Sequence, residues 1–503
     1  MAKYFMGIDV GTYESKGVLV DENANVVAYH SCAHKMEVPQ PGYAEHDADA
    51  VWWGDLCTLS RRLLATSQVD PKEICAVGCS AIAPCCLPVD RALRPLRKGI
   101  LYGIDCRATE EISFLEQQYG AQEIFRRCGT PLTTQSAAAK ILWLKNHEPE
   151  VYANTYKFLT STSYMVAKLT GKFVIDHYTA ATWVPIYDIE KLDWCDEPEL
   201  FCRREQLAAC RWSDEIAGTV TEEAARATGL AVGTPVTTGT ADASAEALSV
   251  GVLEPGDMMC MYGSSIFLIH VVPALTTDPR LWAGPYLFRD TYCVAAGMSC
   301  AGTLTRWFRD NLALDLVQIS EANGSNLYEN MINLAQDIPA GSDGLIVLPY
   351  FSGERTPIND PLAKGMIFGL NLRHTRGHIY KAILESIGYG IRQHFDIFAQ
   401  KQMHTKKIMA VGGGTKNPVW LQAVSDICEK TQQLAAVELG ACYGDALLAS
   451  LAAGFYPDSR ALAQKIRTVR DIAPNAQTAH VYRELCARYA ALYQSTRQIM
   501  HSF

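Results

Sequence analysis

The chain has 503 residues, enough for roughly two to four domains with ample core. Its 49% hydrophobic and 20% charged residues fit a soluble globular protein, and a net charge of −9 with no basic run argues against nucleic-acid or anionic-membrane partners. Seventeen cysteines follow neither disulfide nor zinc spacing and read as reduced thiols in the core of a cytoplasmic protein, while the 12 histidines form no metal-spaced pair.

The apolar run after Met1 is too short for a signal peptide, and no stretch of about 18 uncharged apolar residues suggests a membrane span. Tyr4 to Asp9 predicts a buried strand, Lys16 to Val20 a second and Val26 to Tyr29 a third. The tip of the first hairpin carries Asp9, Gly11, Thr12 and Lys16. Glycine lets a backbone approach phosphate, threonine offers a hydroxyl, and an aspartate can hold magnesium through water; the same residues also suit an ordinary hairpin turn. Trp52 to Thr66 is amphipathic and predicts a helix. Ile74 to Ser80 and Cys86 to Asp90 predict strands. Asp105 and Arg107 follow, an acid and a base two apart near a strand end that also suit a surface ion pair. Ala138 to Glu148 predicts a helix stopped by Pro149.

Small residues and glycines crowd residues 229–251. There an apolar run ends at Thr237-Thr238 and a helix starts after Gly239, with Asp242 as the lone ionisable side chain between Arg226 and Glu246. A carboxylate at that handover either caps the helix or, held ionised by helix amides, serves as a general base beside a metal. Beyond it the opening pattern returns. Met258 to Tyr262 and Ile266 to Val272 predict strands joined by Gly263-Ser264-Ser265, an echo of the Gly11-Thr12 turn that suggests a duplicated domain holding phosphate. Thr303 to Leu314 and Ile379 to Phe398 predict helices, and Gly344 to Phe351 a strand that ends in a polar loop with Glu354 and Arg355. The strand Lys407 to Val411, the run Gly412-Gly413-Gly414 and a helix from Val419 form an anion or nucleotide cradle. A small-residue helix from Cys442 to Gly454 and an amphipathic segment from Asp458 complete the chain.

No P-loop, no G-x-G-x-x-G after a strand and no protein-kinase motif set occurs, so nucleotide binding would need separate loops from two halves. Phe368-Gly-Leu370, followed after seven residues by His378-Ile-Tyr-Lys-Ala-Ile-Leu-Glu385, resembles the second signature of the FGGY carbohydrate kinases. Gly353-Glu-Arg-Thr-Pro357 resembles their xylulokinase branch, and Lys140-Ile-Leu-Trp143-Leu-Lys-Asn-His147 matches the second half of the first signature, from which Gln135 and Ala137 depart. The resemblance spans residues 4–455. It implies an α/β fold of two actin-like, ribonuclease H-like domains with a cleft that closes on sugar and ATP. The expected division is 1–240 for sugar and phosphate and 241–503 for nucleotide, with the last helices packing back.

The resemblance also implies roles. Asp242 becomes the catalytic base and Asp9 the magnesium-associated acid, the two residues expected near Mg2+. Thr12, Lys16, Gly263 and Ser264 fall near the phosphates, Gly302 and Arg306 beside the nucleotide, and Gly413 and Asn417 at adenosine. Ala83, Pro84, Asp105 and Arg107 fall at the sugar with Asp242. Here the chain departs from the branch: Ile82-Ala83-Pro84-Cys85 stands where xylulokinases carry Gln-Met-His-Gly, and Tyr102-Gly-Ile-Asp105-Cys-Arg107 differs from Trp-Asn-Asp-x-Arg. Lost polar pairing changes sugar discrimination by orders of magnitude. D-Xylulose or another ketose is the leading substrate, with gluconate, a polyol or a quorum-signal-type linear sugar as alternatives. A non-enzymatic actin-like ATPase and a silent sugar sensor are the competing classes. A homodimer is the expected assembly.

Overall fold

A computed structural model describes residues 3–196 and 200–503. The chain divides into two compact units. One comprises Met1–Pro255, Val271–Val294 and Leu439–Arg467; the other comprises Gly256–His270, Ala295–Glu438 and Thr468–Phe503.

The first unit is built on strands β1 (Tyr4–Val10), β2 (Glu14–Asp21), β3 (Val26–Ala33), β4 (Ile74–Ala81), β5 (Ile216–Thr219) and β6 (Pro235–Thr237). They stand in the order β5-β6-β4-β1-β2-β3. β1, β2 and β3 form an antiparallel meander, whereas β4 runs parallel to both β1 and β6. The register sets Asp9 opposite Lys16 on one side and Ser80 on the other. Both faces of β1 are buried, which explains its unbroken apolar reading. The helix Gly54–Ser67 covers the meander with Leu56, Leu59, Ser60 and Leu63, a stripe at helical spacing. It begins two residues later than the sequence suggests, because a wide turn at Ala48–Trp53 precedes it.

Against β1 and β4 lies a helix from far along the chain, Ala441–Ala452. Its approach explains two strand glycines: a Cβ on Gly7 would stand 2.0 Å from the Cys442 carbonyl oxygen, and one on Gly78 2.1 Å from that of Asp445.

A second sheet, most of whose residues belong to the second unit, repeats the plan with β7 (Asp257–Tyr262), β8 (Ile266–Val272), β9 (Tyr292–Met298), β10 (Lys407–Val411), β11 (Gln432–Ala435) and β12 (Thr468–Ile472), in the order β12-β11-β10-β7-β8-β9. β7 and β8 pair antiparallel, β10 lies parallel to β7, β11 parallel to β10 and β12 antiparallel to β11. Strand for strand, these are the relations among β1, β2, β4, β6 and β5. The segment after Asp458 is not one amphipathic element: β12 intervenes before the helix Ala479–Met500, which buries Tyr482, Leu485, Tyr489 and Tyr493 in a cluster with Tyr350 and Tyr389. The strand expected over Cys86 to Asp90 shortens to Leu87–Val89.

Candidate active site

In the first unit, four carboxylates gather where β1 and β4 end. Asp9 is the next-to-last residue of β1, and Ser80 beside it on β4 reaches Asp9 Oδ1 at 3.1 Å and Asp445 Oδ2 at 2.6 Å. Thr240 and Ala241 extend the sheet by pairing with Ser80 and Ala81, so that Asp242 starts its helix beside the same strand end. The Thr240 hydroxyl donates to Asp176 Oδ2 at 2.9 Å, and the Thr162 hydroxyl donates to the Thr240 carbonyl at 2.9 Å. This lattice fixes where Asp242 begins.

The capping reading of Asp242 needs correction. The helix runs Asp242–Ser249, so Ala241 occupies the cap position and Asp242 is the first helical residue, its Oδ1 accepting from the Ala243 amide at 2.8 Å. Small residues through Ala241 let the chain enter the helix without a side-chain cap. Asp242 keeps some exposure, yet desolvation pushes its carboxyl up to about 7; the Ala243 amide opposes the rise and Glu246 adds to it. Burial, then the charge of Asp242, pushes Asp9 well above the usual carboxylate range. Burial and then Asp9 do the same to Asp445, and burial raises Glu246.

The Ser80 hydroxyl has one proton and two carboxylates within reach, so one partner must supply a proton of its own. Asp445 is fully enclosed with Oδ1 unpartnered, and burial pushes both it and Asp9 upward, a rise that Lys16 opposes at Asp9. Among the described residues no three His, Cys, Asp or Glu side chains converge as a ligand set for a metal ion. Crowded carboxylate oxygens are nonetheless hard donors short of positive charge. They suit a magnesium ion that takes one or two protein carboxylates and draws its other ligands from phosphates and water.

The phosphate turn of this unit is held locally. Thr12 Oγ1 lies 2.9 Å from the Tyr102 hydroxyl, and Lys16, half exposed, lies 3.6 Å from Glu14. The sugar-side expectations fare unevenly. Asp105 and Arg107 are no surface pair: Arg107 Nη2 lies 2.7 Å from Asp105 and 2.8 Å from Glu45, with its guanidinium 4.1 Å over the Tyr43 ring. Asp105 also accepts from the Ala44 amide at 2.7 Å, which commits its carboxylate, while Arg107 Nη1 is buried without a partner. Lys140 donates to the Tyr102 carbonyl at 3.0 Å, and desolvation pulls its ammonium down to about 8. Ala83 is half-buried and Pro84 buried; neither side chain has a hydrogen-bonding group.

In the second unit, the Gly263-Ser264 turn meets the start of the helix Gly302–Leu312. The amides of Gly302, Ala301 and Thr303 donate to the carbonyls of Gly263, Ser264 and Ser264, each at 3.0 Å. A Cβ on Gly302 would lie 2.6 Å from the Gly263 oxygen, so only glycine lets the helix end sit there. Arg306 is exposed one turn along. Gly413 opens the turn after β10, and Asn417 caps the helix Pro418–Cys428 by accepting from the Trp420 amide at 3.1 Å. Gly412 packs on the Tyr262 backbone, which brings this turn next to Gly263. Glu354 accepts from the amides of Ser299 and Arg355 at 2.6 and 2.8 Å and is raised by burial to about 7; Arg355 donates to the Met298 carbonyl at 2.8 Å. The loop thus anchors the end of β9.

Sequence reasoning missed Ser80, Glu246 and Asp445. The signal for Asp445 was a single acid within the small-residue helix Ala441–Ala452, and nothing local says that this helix crosses β1 and β4.

Two hairpin turns stand on matching sheets, one above buried carboxylates and one against a helix start, the repeated α/β architecture of the actin-like class. The chain belongs to the FGGY family of carbohydrate kinases: the family's N-terminal domain matches residues 4–249 and its C-terminal domain residues 258–453. It is therefore a sugar kinase. It is 27% identical to a gluconokinase of Bacillus subtilis (strain 168) over 489 residues, covering 96% of this chain and 94% of that one. It is likewise 27% identical to the xylulose kinase of the same organism over 510 residues, covering 99% and 98%. The crystal structure of xylulose kinase from Rhodospirillum rubrum superposes with a TM-score of 0.91 at 28% identity, covering 99% of this chain and 100% of that one. No helix among the described residues is long and apolar enough to cross a membrane.

Proposed function

We propose that the chain transfers the γ-phosphate of ATP to a terminal hydroxyl of a ketose, with D-xylulose as the leading substrate and Asp242 as the base. One observation carries this reading: in a sugar-kinase chain, a partly open carboxylate stands at a helix start with its pKa lifted to about 7, close to the pH at which it would work. Asp242 would accept the hydroxyl proton as the bond to phosphorus forms and the β–γ bridge oxygen leaves with ADP. Asp9 and Asp242 would hold magnesium, whose chemistry is to bridge phosphate oxygens and offset their charge. Thr12 and Lys16 would meet the transferring phosphate, Gly263 and Ser264 the β-phosphate, Gly302 and Arg306 the nucleotide flank, and Gly413 and Asn417 adenosine. Asp105 and Arg107, with Ala83 and Pro84, would shape the sugar side. In this division residues 1–240 serve sugar and phosphate and 241–503 serve nucleotide. All seventeen cysteines are free, which supports a reducing, cytoplasmic setting, and a homodimer remains the working assembly.

An aldonate such as gluconate is the second reading. It is favoured by the equal 27% identity to a gluconokinase and a xylulose kinase, and Ile82-Ala83-Pro84-Cys85 in place of Gln-Met-His-Gly weakens the case for xylulose. Coupled ADP release over pentuloses, hexuloses, aldonates and polyols decides between them. D-Xylulose should give the highest kcat/KM; gluconate in first place selects the second reading. Silence across the panel with ATP binding retained would leave a sugar sensor, and sugar-independent hydrolysis an actin-like ATPase.

A further inference from the structure

Two imidazoles stand behind the Gly11-Thr12 turn. His34, just past β3, has Nδ1 2.8 Å from Asp55 Oδ2 and Nε2 3.1 Å from the Gly11 carbonyl oxygen. His46 has Nε2 3.1 Å from the Thr12 carbonyl oxygen, and its Nδ1 lies 3.1 Å from the Trp52 indole nitrogen. The rings meet edge to face, 5.1 Å apart.

The partners assign the protons. An indole N–H only donates, so His46 Nδ1 accepts and Nε2–H donates to Thr12; burial, then His34, pulls this ring down to about 4, which keeps it neutral. His34 faces an acceptor at each nitrogen, the Asp55 carboxylate and the Gly11 carbonyl, so the ring is held across the two. Asp55 is itself fixed by the Ser15 hydroxyl, which donates at 2.7 Å.

A trans peptide holds its C=O and the following N–H on opposite sides. Tying the Gly11 and Thr12 carbonyls back therefore turns the Thr12 and Tyr13 amides forward, on the side away from the rings. Neither amide donates to a backbone carbonyl among the described residues. Two forward amides beside the Thr12 hydroxyl form an anion-binding concavity.

We infer that His34 and His46 are positioning residues that set these amides for the transferring phosphate. This deepens the proposed function and rests on its placing of phosphate at Thr12. The groups facing His34 are Asp55 from the helix Gly54–Ser67, His46 from the strand Glu45–His46 and Ser15 from β2; Glu37 acts on His46, and Glu14 and Arg62 act on neighbouring Cys32.

The test is steady-state kinetics on the sugar that the ADP screen selects, with ATP binding by calorimetry as a readout independent of turnover. His34→Ala and His46→Ala should each raise KM and Kd for ATP about three- to tenfold, the range for one lost hydrogen bond, with KM for sugar unchanged. His46→Gln, which keeps a donor near Nε2, should restore most of the loss. Asp55→Asn, which leaves the ring in place but weakens its carboxylate anchor, should raise KM and Kd for ATP less than His34→Ala does, with KM for sugar again unchanged. Thr12→Ala is the control on the underlying reading. If it weakens ATP and the histidine variants do not, the inference is overturned while the phosphate assignment survives. If it leaves ATP unaffected, the phosphate assignment fails and the inference with it. Equal losses for sugar and ATP with a lowered Tm in all four histidine and Asp55 variants would make the pair structural and overturn the positioning role.

Discussion

The two units share a strand order and a hairpin whose turn carries glycine and a hydroxyl, yet what stands behind each turn is different. In the first, Asp9, Asp242, Glu246 and Asp445 crowd one strand end, where burial lifts all four and neighbouring charge adds to the rise of Asp9, Asp242 and Asp445. In the second, Gly263-Ser264 leans on backbone amides at a helix start. One turn is thus set beside buried carboxylates, and the other is fixed by uncharged backbone. On the proposed function, the first would handle the proton and the metal, and the second would hold phosphate without changing its charge.

The largest effect that tests this contrast comes from Asp242→Asn. Loss of a general base should lower kcat by about 10²–10⁴-fold while Tm holds or rises, since a buried charge is removed. Near-normal turnover would place the proton acceptor elsewhere and end the contrast.

The pH profile is next. Asp242 must be ionised to accept a proton, and its carboxyl is lifted to about 7, so kcat/KM should fall about tenfold per pH unit below that point. A limb near the ordinary carboxylate value, about 4, would mean that enclosure does not act on Asp242 as described.

Gly302→Ala probes the second turn. The added Cβ must push the helix from Gly263, with a stability loss of about 1–3 kcal/mol and weaker ATP binding, but with no shift in the acidic limb. A shifted limb would show that the two turns do not divide the work as described.

The smallest effect sharpens the account of the acids. Asp445 is raised by burial and by Asp9, so the folded chain keeps a proton that the unfolded chain releases near its ordinary value of about 3.9. Stability from this group is full below that value and is lost as pH rises toward the raised one. Asp445→Asn should therefore gain on the wild type between pH 5 and pH 8, by about 1 kcal/mol at the upper end, seen as a widening gap in Tm. A constant gap would show that the carboxyl holds no extra proton.

Much of this was legible in the chain. The hairpins at Asp9–Lys16 and Tyr262–Ile266, the break at Gly239 and the cradle after Val411 rest on local chemistry: apolar runs, glycines and a helix start. The signature that marked the family turns out to be architectural. His378 accepts from the Thr375 amide at its helix start, and Glu385 is buried among Gly341, Ser342 and Tyr482. Neither is a substrate contact in this reading; the motif is specific because packing is demanding.

The sequence by itself determined the elements and the residues that could do phosphate chemistry, because turns, hydroxyls and lone carboxylates depend on near neighbours. Tertiary structure alone decided what charge those residues carry. Asp445 reaches Ser80 from 365 positions away, Arg107 is drawn inside between Asp105 and Glu45, and Asp242 gains its raised pKa from enclosure rather than from sequence. Electrostatic environment follows distance through space and loss of water, and no local stretch of chain encodes either.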